Sequence, residues 1–277
     1  MKVSLILATK DRVAEVQRFL QSLADQEHKD LELVVVDQNK DRRLEPVVTA
    51  AKKEFSIIHL QSTPGLSHAR NVGLAAATGD IISFPDDDCW YSKGLLARVV
   101  SVFQTSGSID GVTGRSEDGD GAASGGNFSR AQGRVGLGNV WKRGISYTIF
   151  LRSPVCAAVG SFDEELGVGA NTPFGSGEET DYLIRTIKLG FNLQYLPDLV
   201  VFHPNPVLYN ENHRRKAFRY GVGMGRVLIK HRYTLAFNAY TILRPLGGAL
   251  LSLIQLRTNK ASYHLAIARG RICGLRS

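Results

Sequence analysis

The stretch 81-IISFPDDDCWY-91 decides how the chain is read. Ile81, Ile82, Ser83 and Phe84 have the character of a short buried strand, and Pro85 ends it. Three aspartates follow at once. Adjacent carboxylates at the end of an apolar strand repel one another, so something must offset their charge. A divalent cation is one answer, because Mg²⁺ and Mn²⁺ prefer oxygen ligands and Mg²⁺ is commonly held by one or two carboxylates plus substrate phosphates. Alternate residues of an extended chain face the same side. Asp86 and Asp88 are therefore expected to face a ligand together, with Asp87 turned away. An acidic turn, in which Asp88 caps a helix beginning near Ser92, also fits the triplet taken alone.

Upstream, two periods alternate. Val3–Ala8 and Leu31–Val36 are continuous apolar runs suited to strands buried on both faces. Between them Val16, Phe19, Leu20 and Leu23 follow helical spacing, with Asp11 as the expected N-cap. Ser56–Leu60 reads as a third strand, Leu66–Ala77 as a helix and Ile81–Phe84 as a fourth strand. This order predicts an α/β, Rossmann-like fold, a mainly parallel sheet with helices on both faces and right-handed crossovers. Ligands of such sheets bind beyond the carboxyl ends of the strands. Thr9, Asp11 and Arg12 follow the first strand, Asp37 closes the second, and Asp86–Asp88 follow the fourth.

Downstream the pattern weakens. Residues 113–144 are rich in Gly, Ser and charge, which fits either a mobile loop over the site or a variable surface insertion. The segment 176-SGEETDYLIRTIKLGF-191 is helical, with acids in its first turn and Gly190 at its stop. Leu193–Phe202 reads as a strand that runs into His203-Pro204.

The charge is uneven. The chain of 277 residues carries +8, yet residues 207–277 hold thirteen Lys or Arg and one acid, Glu211, so the remainder is −4. Such a tail suits an anionic surface. It contains two apolar stretches, YTLAFNAYTIL and PLGGALLSLIQL, each too short to span a bilayer. The tail is expected to form a helix over 210–230 and a second over 233–256 broken at Arg244-Pro245, lying on the inner face of a membrane. A soluble helical cap is the other reading. Nucleic acid would explain the charge but not the apolar runs. The three cysteines (Cys89, Cys156, Cys273) form no metal or disulfide pattern. The first residues lack a cleavable leader, which points to the cytoplasm.

The residues 8-ATKDR-12, 34-VVVD-37, 64-PGLSHARNVGLAAATGDIISFPDDD-88, 160-GSFDE-164 and 177-GEETDYLIR-185, in this order, resemble a family 2 glycosyltransferase of the GT-A fold. The resemblance covers about the first two-thirds of the chain. It implies transfer of a sugar from a nucleotide-diphosphate donor to an acceptor hydroxyl with inversion. It places Thr9, Arg12 and Asp37 near the base and ribose of the donor, with Arg70 and Asn71 lining the nucleotide pocket. Asp86 is placed toward the ribose or metal, Asp88 on the Mn²⁺ or Mg²⁺, and Glu179 as catalytic base. This chain has Glu178-Glu179 where the family commonly has Glu-Asp, so its base reaches one methylene further. His203 falls where some related enzymes place a further metal contact; a packed or capping histidine would fit the same position.

The chemistry of an inverting displacement agrees with those roles. It needs a base within hydrogen-bond reach of the acceptor hydroxyl and positive charge on the departing diphosphate. The expected organisation is a catalytic domain over 1–206, with its nucleotide-sugar half at about 1–110 and its acceptor half at about 111–206. A basic helical membrane-associating segment over 207–277 completes it. The acceptor is expected to be a glycan or a lipid-linked glycan, as in surface polysaccharide synthesis. Two alternatives make different demands on the sequence. A sugar-nucleotide nucleotidyltransferase would carry a Gly-rich phosphate loop after the first strand, which ATKDR lacks. An inactive membrane-bound scaffold would keep the fold and lose nucleotide and metal binding.

Overall fold

The computed structural model describes residues 1–126, 128–204 and 209–277. The expected boundary at 206/207 lies outside the described residues. In chain order the elements are β1 (Val3–Thr9), α1 (Ala14–Ala24), β2 (Leu31–Asp37), α2 (Glu45–Ala51), β3 (Ser56–Gln61), α3 (Leu66–Ala76), β4 (Ile81–Ser83), β5 (Trp90–Tyr91), α4 (Leu95–Thr105) and β6 (Gly111–Glu117). They continue with β7 (Gly133–Arg134), α5 (Val140–Arg143), β8 (Ile149–Arg152), α6 (Ser153–Val159), α7 (Glu178–Lys188), β9 (Leu193–Phe202), α8 (Glu211–Lys230), α9 (Leu235–Ile254) and α10 (Thr258–Gly274).

Two compact units emerge, and neither is continuous in sequence. Residues 1–64, 68–162 and 182–204 form the first; residues 65–67, 163–181 and 209–277 form the second. A mixed sheet ordered β3-β2-β1-β4-β8-β6-β9-β5 organises the first unit. Its leading half, β3-β2-β1-β4, is parallel. Every residue of β1 and β2 is buried, as expected for strands covered on both faces. The core joins Leu5, Leu7, Leu33 and Val35 of these strands to Phe19 and Leu23 of α1 and to Val99 and Phe103 of α4. β4 pairs antiparallel with β8, and β9 pairs parallel with β6. β5 pairs antiparallel with β9, setting Trp90 opposite Phe202 with their rings stacked 5.6 Å apart. That pairing brings the end of the aspartate triplet to His203, far along the chain.

Three expectations need correction. Asp11 is not the cap of α1: Val13 occupies that position without a side-chain hydrogen bond, and Asp11 sits at φ 58° with its N–H on Asn39. Residues 113–144 are not one irregular stretch, because they contain most of β6, then β7 and α5. The strand β6 reads as polar since its glycines replace side chains where neighbours crowd in; a Cβ on Gly111 would collide with Leu151 and Leu193.

The third correction concerns the second unit. Helix α9 runs unbroken through Pro245, and a further helix, α10, follows it. Proline removes the N–H that would bond the carbonyl four residues back and crowds that carbonyl. Here that carbonyl belongs to Thr241, and the Arg271 guanidinium of α10 donates to it. The orphaned acceptor is thus satisfied from outside the helix. α8 and α10 meet backbone to backbone along a glycine seam, Gly221 against Gly270 and Gly225 against Gly274. A Cβ on any of the four would fall inside van der Waals contact with the facing main chain. Gly223, between the two seam positions of α8, packs in the same way on the backbone of Ser176.

Candidate active site

The carboxyl ends of β1, β2 and β4 supply the first unit's polar cluster. Thr9 lies opposite Asp37 in the sheet register, and Ala8 bridges to Asp86. The Thr9 hydroxyl donates to Asp87 at 2.8 Å, and Arg12 donates to Asp87 at 3.0 Å while also pairing with Asp88. Asp88 accepts from His203 Nε2 at 3.0 Å, and its carbonyl accepts from Arg18 at 2.6 Å. Asp86 accepts from Arg70 and from the Ser146 hydroxyl, both at 3.2 Å. The Arg70 side chain is 1% exposed, so its charge reaches Asp86 with little screening by solvent.

Asp86 still bridges to the sheet, but Asp87 and Asp88 lie in a turn closed by the Cys89 N–H on the Asp86 carbonyl at 3.2 Å, not in the extended chain expected from the sequence. Asp87 turns to Thr9 and Arg12, while Asp86, Asp88 and His203 each offer one ligand atom, all within 4.8 Å of one another. His203 is held in place by two contacts. Its ring stacks on Tyr147 at 4.8 Å and 7°, and its Nδ1 lies 3.3 Å from the Ser124 hydroxyl. Two carboxylates and one imidazole form a set that could hold a divalent cation.

Burial and neighbouring charge shift these groups in different directions. Burial pushes the Asp86 carboxyl above the usual range, against the pull of Arg70, with Asp88 adding repulsion. Burial likewise pushes Asp87 up to about 6, although Arg12 and Thr9 oppose it. For Asp88 burial is outweighed by His203 and Arg12, which hold its carboxyl below the usual range. His203 moves up: burial disfavours its charge, but the Asp88 carboxylate beside it wins. A cation among these groups would offset the cost of keeping Asp86 ionised.

A second constellation surrounds Asp37, which is fully buried. One oxygen accepts from the main-chain and side-chain nitrogens of Asn39 at 2.8 and 2.7 Å. The other accepts from His59 and Gln61, both at 3.1 Å. His59 and Gln61 lie two residues apart at the end of β3, on one face beside Asp37. Sequence reasoning passed over them, although the strand register would have found them. It also missed Ser146, Tyr147 and Ser124, which sit in or after the polar stretch and carry no local signature. Asn71 is placed differently from these groups: its side chain exchanges hydrogen bonds of 3.0 and 2.7 Å with the Phe162 backbone.

Glu178 and Glu179 open α7 and belong to the second unit. Gly177 precedes them at φ 98°, a conformation that favours glycine, and its carbonyl accepts the Asp181 N–H. Among the three acids of this turn Glu178 is 5% exposed and Asp181 0%, whereas Glu179 is half-buried. Asp181 accepts from Lys230 at 2.7 Å and His231 at 2.8 Å, and Lys230 also reaches Asp163 at 2.6 Å. These bonds tie the first turn of α7 to the end of α8. They make Asp181 a structural anchor.

The fold is that of the GT-A glycosyltransferases. The Staphylococcus aureus protein TarS superposes with a TM-score of 0.66 at 19% identity, over 95% of this chain and 54% of that one. The mannosyltransferase PcManGT of Pyrobaculum calidifontis, solved with GDP-Man and Mn²⁺, gives 0.64 at 17% identity over 98% and 86%. In sequence, residues 4–155 match the model of glycosyl transferase family 2, and the chain belongs to that family. Its curated relatives include a pre-mycofactocin glycosyltransferase of Mycobacterium tuberculosis, 26% identical over 97% of this chain and 56% of the relative. An uncharacterised glycosyltransferase of Nostoc is 34% identical over 38% of this chain and 34% of its own length. The chain thus spans between about a third and just over half of these two relatives.

Proposed function

We propose that the chain transfers a sugar from a nucleotide-diphosphate donor to an acceptor hydroxyl, with inversion at the anomeric carbon. The observation that carries this reading is the meeting of Asp86, Asp88 and His203 at the strand ends of a family 2 fold. A divalent ion, Mn²⁺ or Mg²⁺, held by these three would supply positive charge for a departing diphosphate. Thr9, Arg12, Asp37, Arg70 and Asn71 bind the donor or shape its pocket. Asp37 reads the base with His59 and Gln61 beside it, and Arg12 swings between the carboxylates and the donor. Glu179 takes the acceptor proton as the acceptor oxygen bonds to the anomeric carbon. The carbon–oxygen bond to the diphosphate breaks, and its electron pair leaves with the diphosphate.

The catalytic domain covers 1–206, and the segment 207–277 places it on the cytoplasmic face of a membrane. Among the described residues no helix is long and apolar enough to cross one. The exposed apolar residues of α9, Leu243, Leu250 and Ile254 among them, support interfacial contact. The acceptor is a glycan, presented free or on a lipid.

A screen of nucleotide sugars for Mn²⁺-dependent donor hydrolysis, then transfer, tests the reading. The decisive variant is Glu179→Gln. It should keep donor affinity and lose about 10²-fold or more in transfer rate. Near-normal transfer moves the base elsewhere, and collapsed donor affinity makes Glu179 structural.

A further inference from the structure

The second unit has a groove of about 680 Å³ between α8 and α10 that nothing above uses. Arg214, Arg215 and Arg219 line it from α8 and Arg269 from α10, around a floor that includes Phe218 and Leu265. Phe218 is 37% and Leu265 38% exposed, so the floor is open to solvent. Among the described residues one carboxylate answers this charge: Glu211 pairs with both Arg214 and Arg215. Arg219 and Arg269 have no carboxylate partner among the described residues. Four guanidinium groups against one acid leave the groove at +3.

Solvated arginines on a helix surface usually alternate with acids; here they converge from two helices over apolar side chains. The glycine seam makes this possible, because it lets the two backbones touch and brings both arginine rows to one cleft. Guanidinium groups bind phosphoryl oxygens through paired, charge-assisted hydrogen bonds. The apolar floor adds affinity only for a ligand that carries hydrocarbon beside its phosphate.

One further contact joins the groove to the segment that leads into α7. The Arg219 side chain lies on Gly175, with its Nε 3.3 Å from where a Cβ would stand there. Gly175 is four residues from Glu179, at most about 14 Å of extended chain. We propose that the groove between α8 and α10 binds the phosphate or diphosphate of a lipid-linked acceptor, with the start of its hydrocarbon chain on Phe218 and Leu265. This rests on the transferase reading for the word acceptor, but the binding itself does not.

Farnesyl diphosphate, farnesol and inorganic diphosphate are the probes, titrated into the full chain without divalent cation and with EDTA so that the aspartate site takes no part. Farnesyl diphosphate should bind at least about tenfold more tightly than either other probe, since head and chain each contribute. Arg219→Ala with Arg269→Ala should weaken it by about tenfold or more, leaving thermal stability and nucleoside diphosphate binding with Mn²⁺ unchanged. Phe218→Ala should narrow the gap between farnesyl diphosphate and inorganic diphosphate. Equal binding by wild type and the double arginine variant overturns the proposal. So does equal competition by phosphatidylglycerol vesicles, which would make the groove a general membrane contact. Arginine-dependent binding in a protein that transfers no sugar would keep the groove and sink the transferase reading instead.

Discussion

At the scale of single residues, the aspartate triplet divides its labour through a turn beyond β4, closed by the Cys89 N–H on the Asp86 carbonyl. Asp87 is tied to Thr9 and Arg12, while Asp86 and Asp88 meet His203. The sequence led to the same grouping of Asp86 with Asp88, but from the alternation of an extended chain rather than from the turn that produces it. The partners were not legible: Ser146, Tyr147 and His59 are ordinary residues that become relevant only through sheet order and register. A buried charge far from these groups shows how local bonding controls stability. Glu32, on β2, is almost fully buried; burial would raise its carboxyl, but hydrogen bonds from Lys2, Ser4 and Thr78 hold it at about 2, below the 4.5 of an unfolded chain. A depressed folded value means the stabilisation is complete above pH 4.5 and disappears as pH falls toward 2. Glu32→Gln should therefore lose about 1–3 kcal/mol at pH 7 in denaturant unfolding, with the difference shrinking between pH 4.5 and 2. A difference independent of pH would show that the ionised carboxylate is not what stabilises this corner.

Among the elements, the strands of the parallel half declare themselves by continuous apolar runs, and α1 and α7 by their periodicity. The helices of the second unit do so unevenly: α8 matches the helix expected over 210–230, but α9 was expected to break at Arg244-Pro245 and α10 was not anticipated. What keeps them helical is tertiary: Arg271 caps the Thr241 carbonyl that Pro245 leaves open, and the glycines are spent on backbone contact. Burial and the nearby Arg244 lower the Arg271 guanidinium to about 10, so it stays charged at neutral pH. A double-mutant cycle isolates the arrangement. In Pro245→Ala the Thr241 carbonyl regains a backbone donor. Arg271→Leu should then cost about 1 kcal/mol less than it does beside Pro245, the scale of one hydrogen bond. Additive effects in thermal or urea unfolding would mean that Arg271 does not support the proline-containing turn.

For the whole molecule, the contrast between an acidic body and a basic tail was visible from composition. How the chain divides was not, because residues 163–181, which lead into the candidate base, group with the C-terminal helices rather than with the sheet. Local patterning carries no record of such long-range grouping; Gly223 on Ser176 and Lys230 on Asp181 are its physical cause. The tail is where the membrane proposal is tested. Replacing Leu243, Leu250 and Ile254 with serine should weaken sedimentation with anionic vesicles about tenfold or more, given the apolar area each exposes. Failure of the unaltered protein to sediment at low salt would favour a soluble helical cap.

The central claim is that Asp86, Asp88 and His203 hold a divalent cation on which donor binding depends. Isothermal titration of UDP and GDP, each with and without Mn²⁺, into the wild type, Asp88→Asn and Asp87→Asn tests it most directly. The account predicts Mn²⁺-dependent binding of at least one nucleotide by the wild type, its loss in Asp88→Asn and a milder loss in Asp87→Asn. Equal Mn²⁺-dependent binding by wild type and Asp88→Asn, or wild-type binding indifferent to Mn²⁺, would contradict it.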